Sequence, residues 1–518
     1  SVAALIVSGY GISRIQVNDN PTKWFEREHS IRVADRVLND HFGGTYMAYL
    51  ALRPKGAPAM PEAEAAPAEA SPGQTNGSAP SLPGGLDDFQ PSTAGNPALP
   101  SGLDASPTDT ETDAPALPSG LGGNDATETG PDPTAARKPV PETGDASEAK
   151  PQVFKNPTTL RWMEALQNYI DRELGHLVGK SNAVTDIVKT VHRELLVGVE
   201  RDGRVISEQE AMRIPDTRGA VAQSLLQFQN SHRPQDLWHF VTPDYRIAVL
   251  WLQLTSGDNR DMSRVAARVN DWLALWSADE DQAVRMVQKQ PASLQPVLQS
   301  VARYVTEPGE ARQKIQQTIF ENPATAVVEL KRKMAPHAPD VALVHDWFGL
   351  TYINVVWQEK MVVGMLKALL GSFLAVFLMM TLLYRSALWG LLCMAPLTVT
   401  ITMTYGLIGL IGKDYDMPVA VLSALSLGLA VDYAIHFLTR SRMMYPDHGS
   451  WKKTAGPVFG EPARAIARNA IVVGVGFLPL LLAPLVPYQT VGIFIAAILL
   501  LAGASTMLIL PAAMTLLE

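Results

Sequence analysis

Five long apolar runs crowd into the last third of the chain, at roughly residues 361–383, 387–411, 417–438, 470–486 and 490–517. At a rise of about 1.5 Å per residue, each has about the length needed to cross the hydrocarbon core of a bilayer. Backbone polar groups in hydrocarbon must be satisfied within the segment, so the runs predict a five-helix membrane bundle over residues 361–518. Only Pro487-Tyr488-Gln489 separates the last two, which predicts a tight helical hairpin. Residues 1–12 are apolar but too short to span, and the chain has no initiator methionine. The expectation is that they are the end of a truncated sixth helix, and that the chain is a fragment or one half of a longer protein.

Basic residues orient such a bundle. Residues 439–469 carry Arg440, Arg442, Lys452, Lys453, Arg464 and Arg468, the first short link carries Arg385, and the opposite short loops carry only Lys413. Cationic links stay on the cytoplasmic side, which puts the segment before residue 361 on the other side. The single cysteine, Cys393, lies in an apolar run and is read as packing; it allows no disulfide framework.

The segment before the bundle has three parts. Residues 13–53 read as folded: Ile15 and Val17 alternate as a strand does, and Asn18-Asp19-Asn20-Pro21 breaks it. Ser30 is placed to cap a helix burying Ile31, Val33, Ala34, Val37 and Leu38, and Thr45–Leu52 reads as a strand. Residues 54–152 hold no Trp, Tyr, Ile or Cys and one Phe, Phe89, among abundant Pro, Ala, Gly, Ser, Thr and Asp. That composition cannot bury enough apolar surface to offset ordering entropy, so the tract is expected to be disordered. It is acidic enough that the net charge of −8 says little about the folded parts, and no basic stripe or nucleic-acid motif is visible. Within it, Leu82-Pro83-Gly84-Gly85-Leu86, Leu99-Pro100-Ser101-Gly102-Leu103 and Leu117-Pro118-Ser119-Gly120-Leu121 form a weak repeat. Docking peptides for a periplasmic partner and slippage in a repetitive coding tract both account for it.

Residues 153–360 return to order. Leu160, Met163, Leu166, Ile170, Leu174 and Leu177 recur at helical spacing, and residues 182–196 continue it. Residues 245–254 read as a strand and 259–276 as a helix burying Val265, Val269, Trp272 and Leu273. Strand and helix alternate, which predicts an α+β domain of ferredoxin-like type interrupted by the acidic insertion. Residues 278–336 read as helical and charged.

The residue with most chemistry is Asp432, in the third apolar run. An ionisable group there is expensive, and it ordinarily faces a protein interior and serves function. Ala424, Gly428, Asp432 and His436 are spaced by four and share one helical face. The small Ala424 and Gly428 would let another helix approach closely. Tyr433 offers a hydroxyl beside the carboxylate. Low dielectric favours the acid form, which suits a proton relay through Asp432, Tyr433 and His436. The alternatives are an acid held structurally by a hydroxyl or by Lys367 in the first run, and a solvated His436. Asp414 and Asp416 read as ordinary loop acids. Gly474, Gly476, Pro479, Pro484 and Pro487 break up the fourth run, and residues 461–466 before it read as an interfacial amphipathic helix.

These residues resemble a known family. Tyr384-Arg385-Ser386, Gly428–Arg440 with its Asp432-Tyr433 pair, and Glu461-Pro462-Ala463-Arg464-Ala465-Ile466 are similar to motifs of the resistance-nodulation-division superfamily, and most of all to its MMPL branch of lipid and hydrophobe exporters. The likeness covers residues 1–53 and about 153–518. It implies a six-span half-bundle with its first span truncated, a periplasmic porter domain, and a multi-pass place in a bacterial inner membrane. It also implies proton-driven export of lipids or other hydrophobic molecules, with Asp432 and Tyr433 as the relay pair. The family has two such halves, and Asn18–Phe25 looks like the start of the second half's outer domain, so the likeness implies that this chain is the C-terminal half. The expected partner is therefore the other six-span half, or a second copy. Sterol-sensing modules share the helical core, so lipid binding without transport is the competing expectation. No nucleophile–base set, metal cluster or phosphate-cradling loop is legible, so neither an enzyme nor a cofactor is expected.

Overall fold

The computed structural model describes residues 2–57, 151–201, 204–231 and 234–516. The insertion lies outside the described residues except at its ends, where Pro54 still belongs to a strand. The Leu-Pro-x-Gly-Leu repeats lie wholly outside them.

Helix α1 (Val2–Ser13) opens the chain, and α2 (Ser30–Phe42) leads to strand β1 (Tyr46–Pro54). After the insertion come α3 (Pro157–Glu173), β2 (Val178–Asn182) and α4 (Val184–Leu196). A small hairpin of β3 (Glu200–Arg201) and β4 (Arg204–Val205) precedes α5 (Glu208–Ala211) and α6 (Arg218–Gln229). Strand β5 (Ala248–Leu254) and α7 (Asn259–Ser277) follow. Then come α8 (Glu280–Lys289), α9 (Pro291–Val305), α10 (Glu310–Glu321), α11 (Pro323–Met334) and β6 (Leu343–Phe348).

Four strands form one sheet in the order β2-β5-β1-β6, every neighbouring pair antiparallel. Along β5 the even-numbered residues Ala248, Leu250, Leu252 and Leu254 are buried, the alternation a one-sided sheet requires. Leu50 and Leu52 of β1 join them in a core with Leu160, Met163, Leu166 and Ile170 of α3 and with Val265, Val269, Trp272 and Leu273 of α7. Each such side chain, fully buried, is worth roughly 1.5–3 kcal/mol relative to exposure. The charged stretch after α7 is also part of this domain, because Leu298 of α9, Ile315 of α10 and Leu330 of α11 bury into the same core.

Four local expectations fail here. Val17 makes a single parallel bridge to Tyr415 instead of a strand, since its partner is a loop across the chain. His29, not Ser30, caps α2. The apolar face of α2 is open, with Ile31 44%, Val33 42%, Val37 48% and Leu38 43% exposed. Periodicity identifies an apolar face but says nothing about whether the same chain supplies its cover. The helical pattern over residues 182–196 is also interrupted at its start, where Asn182 closes β2 before α4 begins.

Among the described residues five helices are long and apolar enough to cross a membrane, and they begin where the sheet ends. Gly349, at φ 97°, turns β6 directly into α12 (Leu350–Tyr384), and a Cβ there would lie 2.7 Å from the Tyr49 ring. Only glycine meets both conditions cheaply. The other four are α13 (Ala387–Ile411), α14 (Met417–His448), α16 (Glu461–Gly476) and α17 (Val486–Leu516), with the short α15 (Trp451–Val458) between α14 and α16. Residues 461–466 are the first turns of α16 itself, so they are not a separate interfacial helix. Pro487-Tyr488-Gln489 lies inside α17, and the turn sits earlier, at residues 483–485. Proline is tolerated in the first turn of a helix, where its missing N–H has no partner to lose. The glycines and prolines of the fourth run do end α16 at Gly476 and give a 3-10 turn over Leu478–Leu482.

Candidate functional site

Helix α14 carries the site, and its first turn is fixed by a polar junction. Asp416 caps it, accepting from the Val419 N–H at 3.2 Å, and Lys413 pairs with Asp416 at 2.5 Å. Asn18 Nδ2 donates to Asp414 at 2.9 Å, and the Tyr415 N–H donates to the Gln16 carbonyl at 2.7 Å. From the same segment, Lys23 binds Asp258 at 2.8 Å, just before α7, and the Asn259 N–H donates to Asn18 Oδ1 at 3.2 Å. Asp414 and Asp416 are thus not ordinary loop acids: with Asn18–Lys23 they tie the start of α14 to the start of α7. The sequence hid this because the partners lie 396 and 241 positions apart.

The two junction carboxyls are tuned in opposite directions. Burial would raise Asp258, but hydrogen bonds from Lys23, Asn20 and Asn18 outweigh it and hold the carboxyl below its ordinary range. Burial raises Asp19, the Trp24 indole N–H opposes the rise, and the Asp416 charge adds to it. Asp258, with its depressed value, stabilises the fold above the unfolded carboxylate pKa of about 3.9, and that contribution is lost as pH falls through the folded value. Asp19, with its raised value, favours the fold below that same pKa and loses the benefit as pH rises through its own. Asp258→Asn should therefore destabilise at pH 7 by about 1.5–3 kcal/mol, the worth of a hydrogen bond to a charged group. Asp19→Asn should raise the melting temperature at pH 7 and lose that advantage near pH 3. Thermal unfolding in detergent at the two pH values reads both signs.

Halfway along α14, Gly428, Asp432 and His436 all lie on an exposed stripe. The sequence places a close-packed helix against this stripe through Ala424 and Gly428, and the structure corrects that expectation within this chain. A Cβ built on Gly428 meets nothing within 4 Å. Ala424 lies in the helix, and its side chain is outside the described ones. Small residues do bring helices together, but elsewhere: a Cβ on Gly409 of α13 would lie 1.8 Å from the Gly11 carbonyl oxygen of α1.

Tyr433 turns away from Asp432. It is 3% exposed, and among the described residues the two side chains share no hydrogen bond. Successive residues on a helix point about 100° apart, which sends Tyr433 into the angle between α14 and α16. There it lines a cleft of about 710 Å³ with His436, Arg440, Arg464, Arg468 and Asn469. His436 thus borders both the Asp432 stripe and the cleft. Lys367 is exposed on α12 and, among the described residues, makes no ion pair with Asp432.

Two residues missed as participants meet at α14 one to three turns beyond Asp432. The Tyr384 hydroxyl of α12 lies 2.9 Å from Thr439 Oγ1 and donates to the Ile435 carbonyl at 3.2 Å. Arg442 lies over the rings of Tyr384 and Trp389, at 5.4 and 5.3 Å. The motif Tyr384-Arg385-Ser386 is visible in the sequence, but its contact with α14 is not.

Residues 349–517, from the Gly349 turn through all five spanning helices, match the MMPL family model. Over that stretch the membrane domain of this chain is similar to the MMPL family. Over 112 residues the chain is 28% identical to a Methanocaldococcus jannaschii protein, MJ1562, whose name describes it only as a membrane protein. That match spans 22% of this chain and 29% of the relative, so the shared part is under a third of the relative's length. The matched stretch places Asp432 on its third spanning helix, counted from α12.

Proposed function

We propose that the chain is part of a proton-driven, MMPL-type exporter of lipids or other hydrophobic molecules, with Asp432 as the titrating group. The observation that carries this reading is a carboxylate midway along a spanning helix of an MMPL-like domain. It stands on a stripe that the described helices leave open. A carboxylate facing lipid is too costly to persist, so a second helical unit is expected to cover Gly428, Asp432 and His436 in the working protein. The other half of the same protein or a second copy would supply it, and Gly428 would then serve the close approach.

The antiparallel order β2-β5-β1-β6, with α3 and α7 crossing between strands, supports reading the sheet domain as a ferredoxin-like porter module. The basic residues at the far end of α14 and before α16 support placing that end in the cytoplasm and the sheet domain in the periplasm of a bacterial inner membrane. The polar junction would pass movement of α14 to α7. The test is counterflow in proteoliposomes holding the complete protein and a fluorescent hydrophobic probe. Export should depend on an imposed proton gradient and stop when a protonophore collapses it. Gradient-independent probe binding without movement would replace the exporter with a lipid-sensing module. A comparison of membrane lipids from cells with and without the gene would then name the cargo.

A further inference from the structure

The cleft between α14 and α16 holds more positive charge than orientation in a membrane requires. Arg440 comes from α14, and Arg464 and Arg468 come from the first two turns of α16; all three line the same cleft. Arg464 and Arg468, four apart on one helix, repel each other, and Arg440 adds a third cation from the facing helix. Among the described residues none of the three forms an ion pair, although Glu461 lines the same cleft. Arg442, on the same end of α14, behaves differently and rests on aromatic rings. Bias of charge between loops needs only a count of cations, not their convergence on one cavity.

Two further features define the guest. The N-terminus of α16, a helix of 16 residues, faces the cleft at Glu461 and Pro462; Glu461 already answers that end's preference for negative charge, so the three guanidinium groups set the positive balance of the cleft. The walls are mixed: Met444 and Ile466 offer an apolar surface beside the guanidinium groups. The cleft lies at the end of the bundle remote from the sheet domain, where lipid headgroups meet water. From this geometry we infer a binding site for an amphiphile with a phosphate headgroup, an anionic lipid of the leaflet at that end. The arginines take the phosphate oxygens, as guanidinium forks do, and the apolar wall takes the start of the glycerol and acyl chains. The site adjoins the Asp432 stripe at His436, but its three arginines lie off that stripe and their hold on a phosphate does not depend on proton coupling.

The experiment uses the complete protein in nanodiscs of phosphatidylcholine with a minor fraction of spin-labelled phosphatidylglycerol. Wild type should enrich the anionic lipid over labelled phosphatidylcholine. Each of Arg440→Gln, Arg464→Gln and Arg468→Gln should weaken that preference roughly fivefold, and the triple variant about a hundredfold, as expected for about one surface cation's worth of attraction each. Lys453→Gln, which removes a cation at the same end but outside the cleft, should change it less than about twofold by the same measure. Unchanged elution and helical content identify variants that fold. Equal losses in Lys453→Gln and the cleft variants would overturn the site in favour of diffuse charge. Undiminished enrichment in the folded triple variant would overturn it outright. Inorganic phosphate or glycerol phosphate is an added arm. Failure to displace the lipid at millimolar concentration supports an amphiphile, whereas full displacement overturns the lipid and assigns the cleft to a soluble phosphate.

Discussion

Asp432→Asn should abolish proton-coupled export while the protein still inserts and folds. Asparagine keeps the shape of the side chain and its capacity for hydrogen bonds, and it removes only the titrating proton. Because Asp432 accepts no hydrogen bond from Tyr433 and pairs with no cation among the described residues, little in this chain's packing depends on its charge. Melting temperature and elution should match wild type, and gradient-driven transport should fall to the level of empty liposomes. Tyr433→Phe should cost less, because the buried ring keeps its packing and loses one hydroxyl at the wall of the cleft. Gly428→Leu makes a sharper distinction. It should be harmless to this chain's own fold, where a Cβ at that position meets nothing, yet inactive in the complete protein if a second unit covers the stripe. Wild-type transport by Asp432→Asn under a proton gradient would rule out the relay.

Gly409→Leu should do the reverse, destroying the fold before any question of transport arises. A Cβ on Gly409 would lie 1.8 Å from the Gly11 carbonyl oxygen, and one on Gly406 would lie 2.4 Å from the Ser8 Cα. These contacts are with backbone, which cannot rotate away as a side chain does. Helices α1 and α13 would have to separate, at a cost above the 1–3 kcal/mol typical of overpacking. Separation would also loosen the Gln16–Asn18 segment that holds the start of α14. The expected result is little monodisperse protein after detergent extraction, and rapid proteolysis of what remains. Gly412→Ala is a fair comparison: a Cβ there meets nothing, so only its positive φ of 73° is strained, and most of the protein should survive. Equal yields of Gly409→Leu and wild type would show that α1 does not pack on α13 in the membrane.

Much of the architecture is legible in residue order because its causes are local. An apolar stretch of 25 residues such as Ala387–Ile411 can bury its backbone polar groups only as a helix, whatever surrounds it. The alternation of β5 and the stripe Val265, Val269, Trp272 and Leu273 of α7 likewise declare their inner faces. Boundaries are less legible. The fourth run's helix begins nine residues before the apolar residues do, at Glu461, because Ala, Arg and Glu there favour helix as well as apolar residues would.

The candidate site divides along the same line. A membrane-buried carboxylate with glycine and histidine at four-residue spacing is a statement about one helix, and the sequence by itself determined it. What lies opposite that stripe is a statement about two chains of atoms distant in sequence, and only the tertiary structure decided it: among the described residues nothing meets a Cβ at Gly428. Tertiary structure also drew Tyr433 into the Arg440, Arg464 and Arg468 cleft, and brought Asn18 within 2.9 Å of Asp414. The physical reason is range. Periodicity and helix geometry act over a turn or two, whereas hydrogen bonds and charge convergence depend on where distant segments meet after folding.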